Sequence, residues 1–154
     1  MSDSIVNQAI LFAAIGTSLM AGIYFTFSVV IMASLKKLPD EAAIASMNSI
    51  NQVIVKSWFM PLFFGSSVLA LLLIFFNKEG ELYVLIMSAS MIYLLGMLGC
   101  TAFFNVPLNN KLASSILEDR SQVWQHYLIH WTRWNHLRTV CSLIASILYM
   151  LALK

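Results

Sequence analysis

Charge is what this sequence lacks most. Seven acidic and nine basic residues make up 10% of its 154 positions, against the roughly 25% that a soluble domain uses to cover its surface. A water-soluble globular fold is therefore excluded, and a net charge of only +2 offers no basic face to nucleic acid. Cysteine is nearly absent: Cys100 and Cys141 both lie inside apolar runs, so no disulfide framework is implied. There is no Gly-rich phosphate loop, internal repeat or low-complexity tract. No carboxylate falls inside an apolar run, which disfavours paired-carboxylate catalysis and a carboxylate proton relay. No Ser-His-Asp or Cys-His arrangement stands out. A cleavable leader is not expected either, because the first charge-free run, Ile5–Leu35, is too long for one and no basic segment precedes it.

What is present is apolar: 60% of the chain is hydrophobic. This predicts one all-α integral membrane domain over residues 1–154, a four-helix transmembrane bundle. Spans are expected at about 5–35, 57–76, 82–104 and 134–153. The fourth is the informative one. Only Thr139–Leu153 is free of charge, fifteen residues, or about 22 Å at helical rise. To cross ~30 Å of hydrocarbon the helix must draw in residues from upstream. That pulls Trp134, Asn135 and Arg138 to the membrane edge, where a charge is costly unless partnered or free to snorkel.

The connections set an expected orientation. The first carries Lys36, Lys37 and Lys56 and the third Lys111, Arg120, Arg133 and Arg138, seven basic residues against Lys78 and Lys154 elsewhere. Both termini are then outside and connections one and three cytoplasmic. Each of these connections is expected to hold a short interfacial amphipathic helix. In the first, Leu38-Pro39-Asp40-Glu41 reads as a helix start. Ile44, Met47, Ile50 and Ile54 then form an apolar stripe, with Asn48 and Asn51 off it. That helix should run on into the second span, which Pro61 should kink. In the third, Pro107 stops or kinks the preceding span, and Asn105 and Asn109 flank the break. Freed backbone groups are the structural use for those amides. Lys111–Arg120 follows as a short helix with Leu112, Ile116 and Leu117 on one side.

Polar chemistry concentrates in Trp124–Arg138, which holds three Trp, all three His, one Asn and two Arg in fifteen positions. At about 100° per residue, Trp131, Trp134, Asn135, Arg138, Ser142, Ala145 and Tyr149 share one face. His136 points almost opposite, with His126 and His130 to a flank. Ionisable groups within a membrane usually face the bundle interior and serve function; the structural alternative is that Arg138 ties the connections together. Matching stripes run along the first span (Ala13, Thr17, Met20, Tyr24, Ser28) and the third (Ala89, Tyr93, Gly96, Cys100, Phe103), where small residues allow close helix approach. The phenol of Tyr24 needs a partner if buried. His126 and His130 have the spacing of a helical metal pair, but nothing spaced beside them completes a site, so no metal is expected.

Three blocks, Gly22-Ile-Tyr-Phe-Thr-Phe-Ser28, Asn105-Val-Pro-Leu-Asn109 and Trp131-Thr-Arg-Trp-Asn-His-Leu-Arg-Thr139, resemble the signature blocks of the anthrone oxygenase-like family. In order and spacing the resemblance covers nearly the whole chain. It implies a small four-helix membrane protein, in bacteria an inner-membrane one, that oxidises an anthrone or similar phenolic with dioxygen and no cofactor. The motif positions it implies are Asn105, Asn109, Trp134, Asn135 and Arg138. Trp131, Trp134 and Tyr24 are candidate substrate contacts, Arg138 and the Asn amides candidate oxyanion donors. His136 has a suitable pKa for the base but needs a kinked helix to reach the site; His130 is the flanking substitute. The expected partners are an apolar small molecule or lipid and the membrane, with room for a homo-oligomer. The competing reading is a non-enzymatic module that binds a lipid, quinone or partner helix; a small carrier is disfavoured by the lack of inverted repeats.

Overall fold

The computed structural model describes residues 3–76, 82–116 and 118–153. Among them all regular structure is helical, as an apolar environment demands of a chain that must satisfy every backbone group internally. Helix α1 (Asp3–Thr26) passes through a π-helical turn, Phe27–Ile31, into α2 (Met32–Leu35). Helix α3 (Asp40–Ile54) and α4 (Phe59–Phe76) follow, then α5 (Tyr83–Tyr93). Two more π-helical stretches, Leu94–Gly99 and Thr101–Asn105, carry α5 into α6 (Val106–Ala113), and α7 (Arg120–Leu151) closes the chain.

The four long rods form a bundle. α7 packs along α1 and α5, α4 packs on the other side of the same two helices, and α3 lies across α6 and α7 at one end. Ser4–Leu35 and Tyr83–Ala113 are each long and apolar enough to cross a membrane, and a third crossing results if α3 and α4, bent by 60°, count as one. Such helices are compatible with a membrane protein. α7 is long enough but does not join them, because the polar turn around Asn135, His136 and Arg138 lies in its middle. Instead of a helix beginning near Trp134, the last segment is one uninterrupted helix from Arg120.

Several expectations about the connections change. α3 forms where its acidic first turn and apolar stripe place it, with Ala43, Ile44 and Met47 buried. It does not run on into α4, since the chain breaks at 55–58. The 60° bend lies in that break; Pro61 is the third residue of α4, in the first turn, where a missing N–H loses no bond. Pro107 likewise neither stops nor breaks its helix. It is the second residue of α6, directly after a π-helical stretch. The amphipathic helix expected over Lys111–Arg120 does not form: α6 ends at Ala113 and the chain turns before α7. Leu112 is buried there while Ile116 is exposed; Leu117, Lys78 and Lys154 lie outside the described residues.

Close packing holds the end of the bundle away from α3. A Cβ at Gly96 would clash with the sulfur and Cβ of Cys141, so α7 approaches the segment after α5 at a distance only glycine permits. Both cysteines are free. Buried hydroxyls pair across helices: Ser66 with Tyr93 at 2.7 Å, Ser90 with Tyr149 at 2.6 Å, Ser18 with Ser146 at 2.6 Å.

Candidate functional site

The π-helical stretches decide which side chains face inward. An α-helix returns to the same face every three or four residues, whereas a π turn adds one. After Met97 and Cys100, both buried, regular spacing would bring Phe103 or Phe104 inward. Phe103 is instead 76% exposed and Asn105 only 1%. Phe103 thus leaves the stripe expected for it, and an amide takes the inner position.

Arg138 sits opposite this amide on α7 and is 5% exposed. Among the described residues no carboxylate pairs with it. Its Nη1 donates to Thr101 Oγ1 at 3.1 Å and its Nη2 to Asn135 Oδ1 at 2.6 Å. The guanidinium carbon lies 4.2 Å from the Tyr24 ring centroid and 5.3 Å from that of Trp131. Two hydrogen bonds and two aromatic faces offset part of the several kcal/mol that burying a cation costs.

Each supporting side chain is anchored in turn. Asn135, fully buried, donates from Nδ2 to the Tyr24 carbonyl and to Ser28 Oγ, both at 2.7 Å. These acceptors straddle the point where α1 turns π-helical, where a side chain can enter the backbone ladder. Asn105 donates to the Trp131 carbonyl at 3.3 Å, and the Cys100 thiol donates to the Trp134 carbonyl at 3.5 Å. Asn109 Oδ1 accepts the Tyr127 hydroxyl at 2.8 Å. Burial holds that phenol well above the usual tyrosine range, although the adjacent Asn51 amide and Arg138 pull the other way, so it stays protonated as a donor. The two Asn of the third connection therefore bond α7 rather than groups freed by Pro107.

These residues surround a cavity of about 320 Å³, the lower end of the range for small-molecule sites. Of the residues singled out in the sequence, Tyr24, Asn105, Asn109, Trp131 and Arg138 line it. Asn135 lies behind Arg138 and holds it. Trp134 is half-buried outside the lining, stacked on Phe104 with centroids 3.8 Å apart and planes at 11°, because the π register turns Phe104 toward it. His136 is exposed on the far side of α7, and that helix is unbroken, so the kink that would bring it inward is missing. His126 and His130 stack at 4.1 Å, also off the cavity. Loss of hydration, then His130 and Lys111, depress the His126 pKa. Among the described residues no three His, Cys, Asp or Glu side chains are grouped to hold a metal.

Two polar lining residues escaped the sequence reading, Thr101 and Asn51. Thr101 reaches the wall only through the π-helical stretch that begins there. Asn51 lay off the apolar stripe of α3, and a polar residue off such a stripe reads as solvent-facing. The apolar floor was also unforeseen: the α3–α4 elbow brings Met47, Ile50, Ile54, Phe59 and Phe63 to the cavity.

The family model for anthrone oxygenase matches residues 52–148, more than half of the chain. The chain belongs to this family of apolar helical proteins. The match takes in Asn105, Asn109, Trp131, Asn135 and Arg138; Tyr24 and Ser28 precede it. No curated protein and no solved structure matches the chain.

Proposed function

We propose that the protein is a cofactor-independent oxygenase that takes a flat, apolar phenolic ketone of the anthrone type from the bilayer and oxidises it with dioxygen. One observation carries this reading: Arg138 is buried with no acidic partner among the described residues, one of its N–H groups, Nε, has no acceptor, and it faces a mainly apolar cavity. A cation held at such cost is useful where negative charge develops on a substrate.

The substrate lies between Trp131 and the aromatic side chains of α4, with its carbonyl oxygen toward Arg138. Removal of a proton from the carbon opposite the carbonyl gives an enolate whose charge rests on that oxygen. The electron-rich carbon then bonds to dioxygen. Protonation yields a hydroperoxide, and loss of water (cleaving the O–O bond and releasing the second C–H proton) leaves a new carbonyl. Anthrone plus dioxygen thus gives anthraquinone plus water. No imidazole or carboxylate is among the lining residues, so the weight falls on acidifying the substrate, with the proton leaving to a solvent base. Asn135 and Asn105 act as positioning residues, since the protein takes up their amides. The basic residues of the first and third connections put the cavity at the cytoplasmic end of the bundle, with both termini outside.

The test is to add anthrone to the purified protein in detergent under air and follow quinone absorbance. The wild type is expected to exceed the spontaneous rate, and Arg138→Gln to fall back to it. Equal acceleration by both, or none by either, overturns the oxygenase; binding without turnover favours the non-enzymatic module.

A further inference from the structure

The cavity has a mouth, and the lining residues that are also exposed mark where it is. They are Val55 in the break between α3 and α4, Phe64 on α4, Ala102 in the π-helical stretch Thr101–Asn105, and Val106 at the start of α6. All of them are apolar. Every polar lining side chain, Arg138 and the three Asn included, is buried or half-buried. The way in is therefore a gap with an apolar rim, between the α3–α4 elbow on one side and residues 102–106 on the other.

Two departures from straight α-helix face each other across this gap. On one side α4 packs against α5 and Leu94–Gly99, while the 60° bend turns α3 off the line of α4. On the other side the π register carries the two phenyl rings away from the wall. Phe103 stands on the surface, and Phe104 stacks on Trp134 at 3.8 Å. Ala102 is left at the rim, where a methyl group covers far less of the opening than a ring. The elbow also carries Lys56, exposed, and Trp58, 88% exposed. These residue types favour the headgroup level of a bilayer, which sets the apolar rim at the edge of the hydrocarbon.

We infer that the cavity is loaded sideways from the bilayer, through a portal framed by Val55 and Phe64 opposite Ala102 and Val106, and that Ala102 sets the width of what passes. The inference rests on the cavity used by the proposed oxygenation and deepens that reading by narrowing the substrate class. A flat, uncharged aromatic passes the rim. An anionic or glycosylated one does not, because no rim side chain replaces the water it must shed. Arg138 would attract an anion that had already entered, so charged ring systems are excluded by the route and not by the site.

The experiment follows binding of anthracene to the full chain in detergent micelles under argon, where no turnover occurs. Energy transfer from tryptophan to anthracene reports entry after rapid mixing, and a chase into empty micelles reports release. A portal residue changes both rates together, whereas a residue that only contacts the ligand changes their ratio. Ala102→Phe is expected to slow entry and release alike by roughly tenfold, with Kd changed by less than about threefold. Phe64→Ala, which removes bulk and so keeps the test open if Ala102→Phe does not fold, should speed both. An anthracene sulfonate of the same width should not enter the wild type. The portal is overturned by rates indifferent to both substitutions, or by lost affinity at an unchanged entry rate. It is equally overturned by a sulfonate that enters as fast as anthracene, or by no saturable transfer to anthracene at all. The two readings fail separately: gated entry without anthrone turnover sinks only the oxygenase, and turnover with ungated entry sinks only the portal.

Discussion

The two ends of the bundle treat buried polar groups in opposite ways. Away from α3, the hydroxyls of Tyr93 and Tyr149 each meet a serine on a neighbouring helix at 2.7 and 2.6 Å, and Gly96 admits Cys141 to closer than a methyl group would allow. Around Arg138, Trp131 Nε1 and Arg138 Nε are left without an acceptor, and a cavity replaces close packing. Both ends come from similarly apolar helices. Ser142, buried beside Cys141, is an unpaired hydroxyl outside the cavity, whereas the unmatched N–H donors of Trp131 and Arg138 face the cavity.

Breaking the cavity end should have the largest effect, and in two directions. Arg138→Met keeps much of the side-chain volume but removes the charge. The rate of anthrone oxidation should fall by about 10²- to 10³-fold, the usual loss for one preorganised oxyanion donor. The bundle should unfold in detergent at an equal or higher temperature, because a buried cation with no ion-pair partner among the described residues is gone. A large drop in melting temperature would instead make Arg138 a structural tie.

The packed end should respond to volume. Gly96→Ala places a methyl against Cys141 and is expected to cost about 1–3 kcal/mol, in line with overpacked cores, read as lower thermal stability. Cys141→Gly in the same chain should recover most of it, since both the sulfur and the Cβ of Cys141 cause the clash. No recovery would mean that the helices do not meet at this point.

Single hydroxyl deletions sharpen the contrast most finely. Tyr93→Phe and Tyr149→Phe should each lose about 0.6 kcal/mol, the average for a hydrogen bond between membrane helices, and at most ~1.7 kcal/mol. Tyr24→Phe keeps the ring that faces the Arg138 guanidinium, so stability should fall by less than for either. Equal destabilisation by all three would erase the distinction between the ends.

Much of the site was legible because its residues share one helical face. Trp131, Asn135, Arg138, Ser142 and Tyr149 are all buried along α7, as regular spacing places them, and α7 has no π turn to disturb the count. The third rod has two. Phe103 was misplaced there for that reason, and Thr101 was overlooked. The elbow at 55–58 was misread through Pro61, since a proline in a first turn leaves no mark. Trp134, expected on the working face by angle, lies outside the cavity lining and stacks on Phe104.

Scarcity of charge and long apolar runs by themselves determined an all-helical bundle, and they marked Trp131, Asn135 and Arg138 as an inward polar stripe. Both follow from local physics: backbone bonds must close within each segment where water is absent, and helical periodicity is fixed by geometry. Which residues Arg138 would meet, and that some donors would stay unmatched, only the tertiary structure decided. Those outcomes depend on one-residue register shifts and on the angle of a helix break. Competing arrangements there differ by a hydrogen bond or two, summed over contacts between segments far apart in sequence.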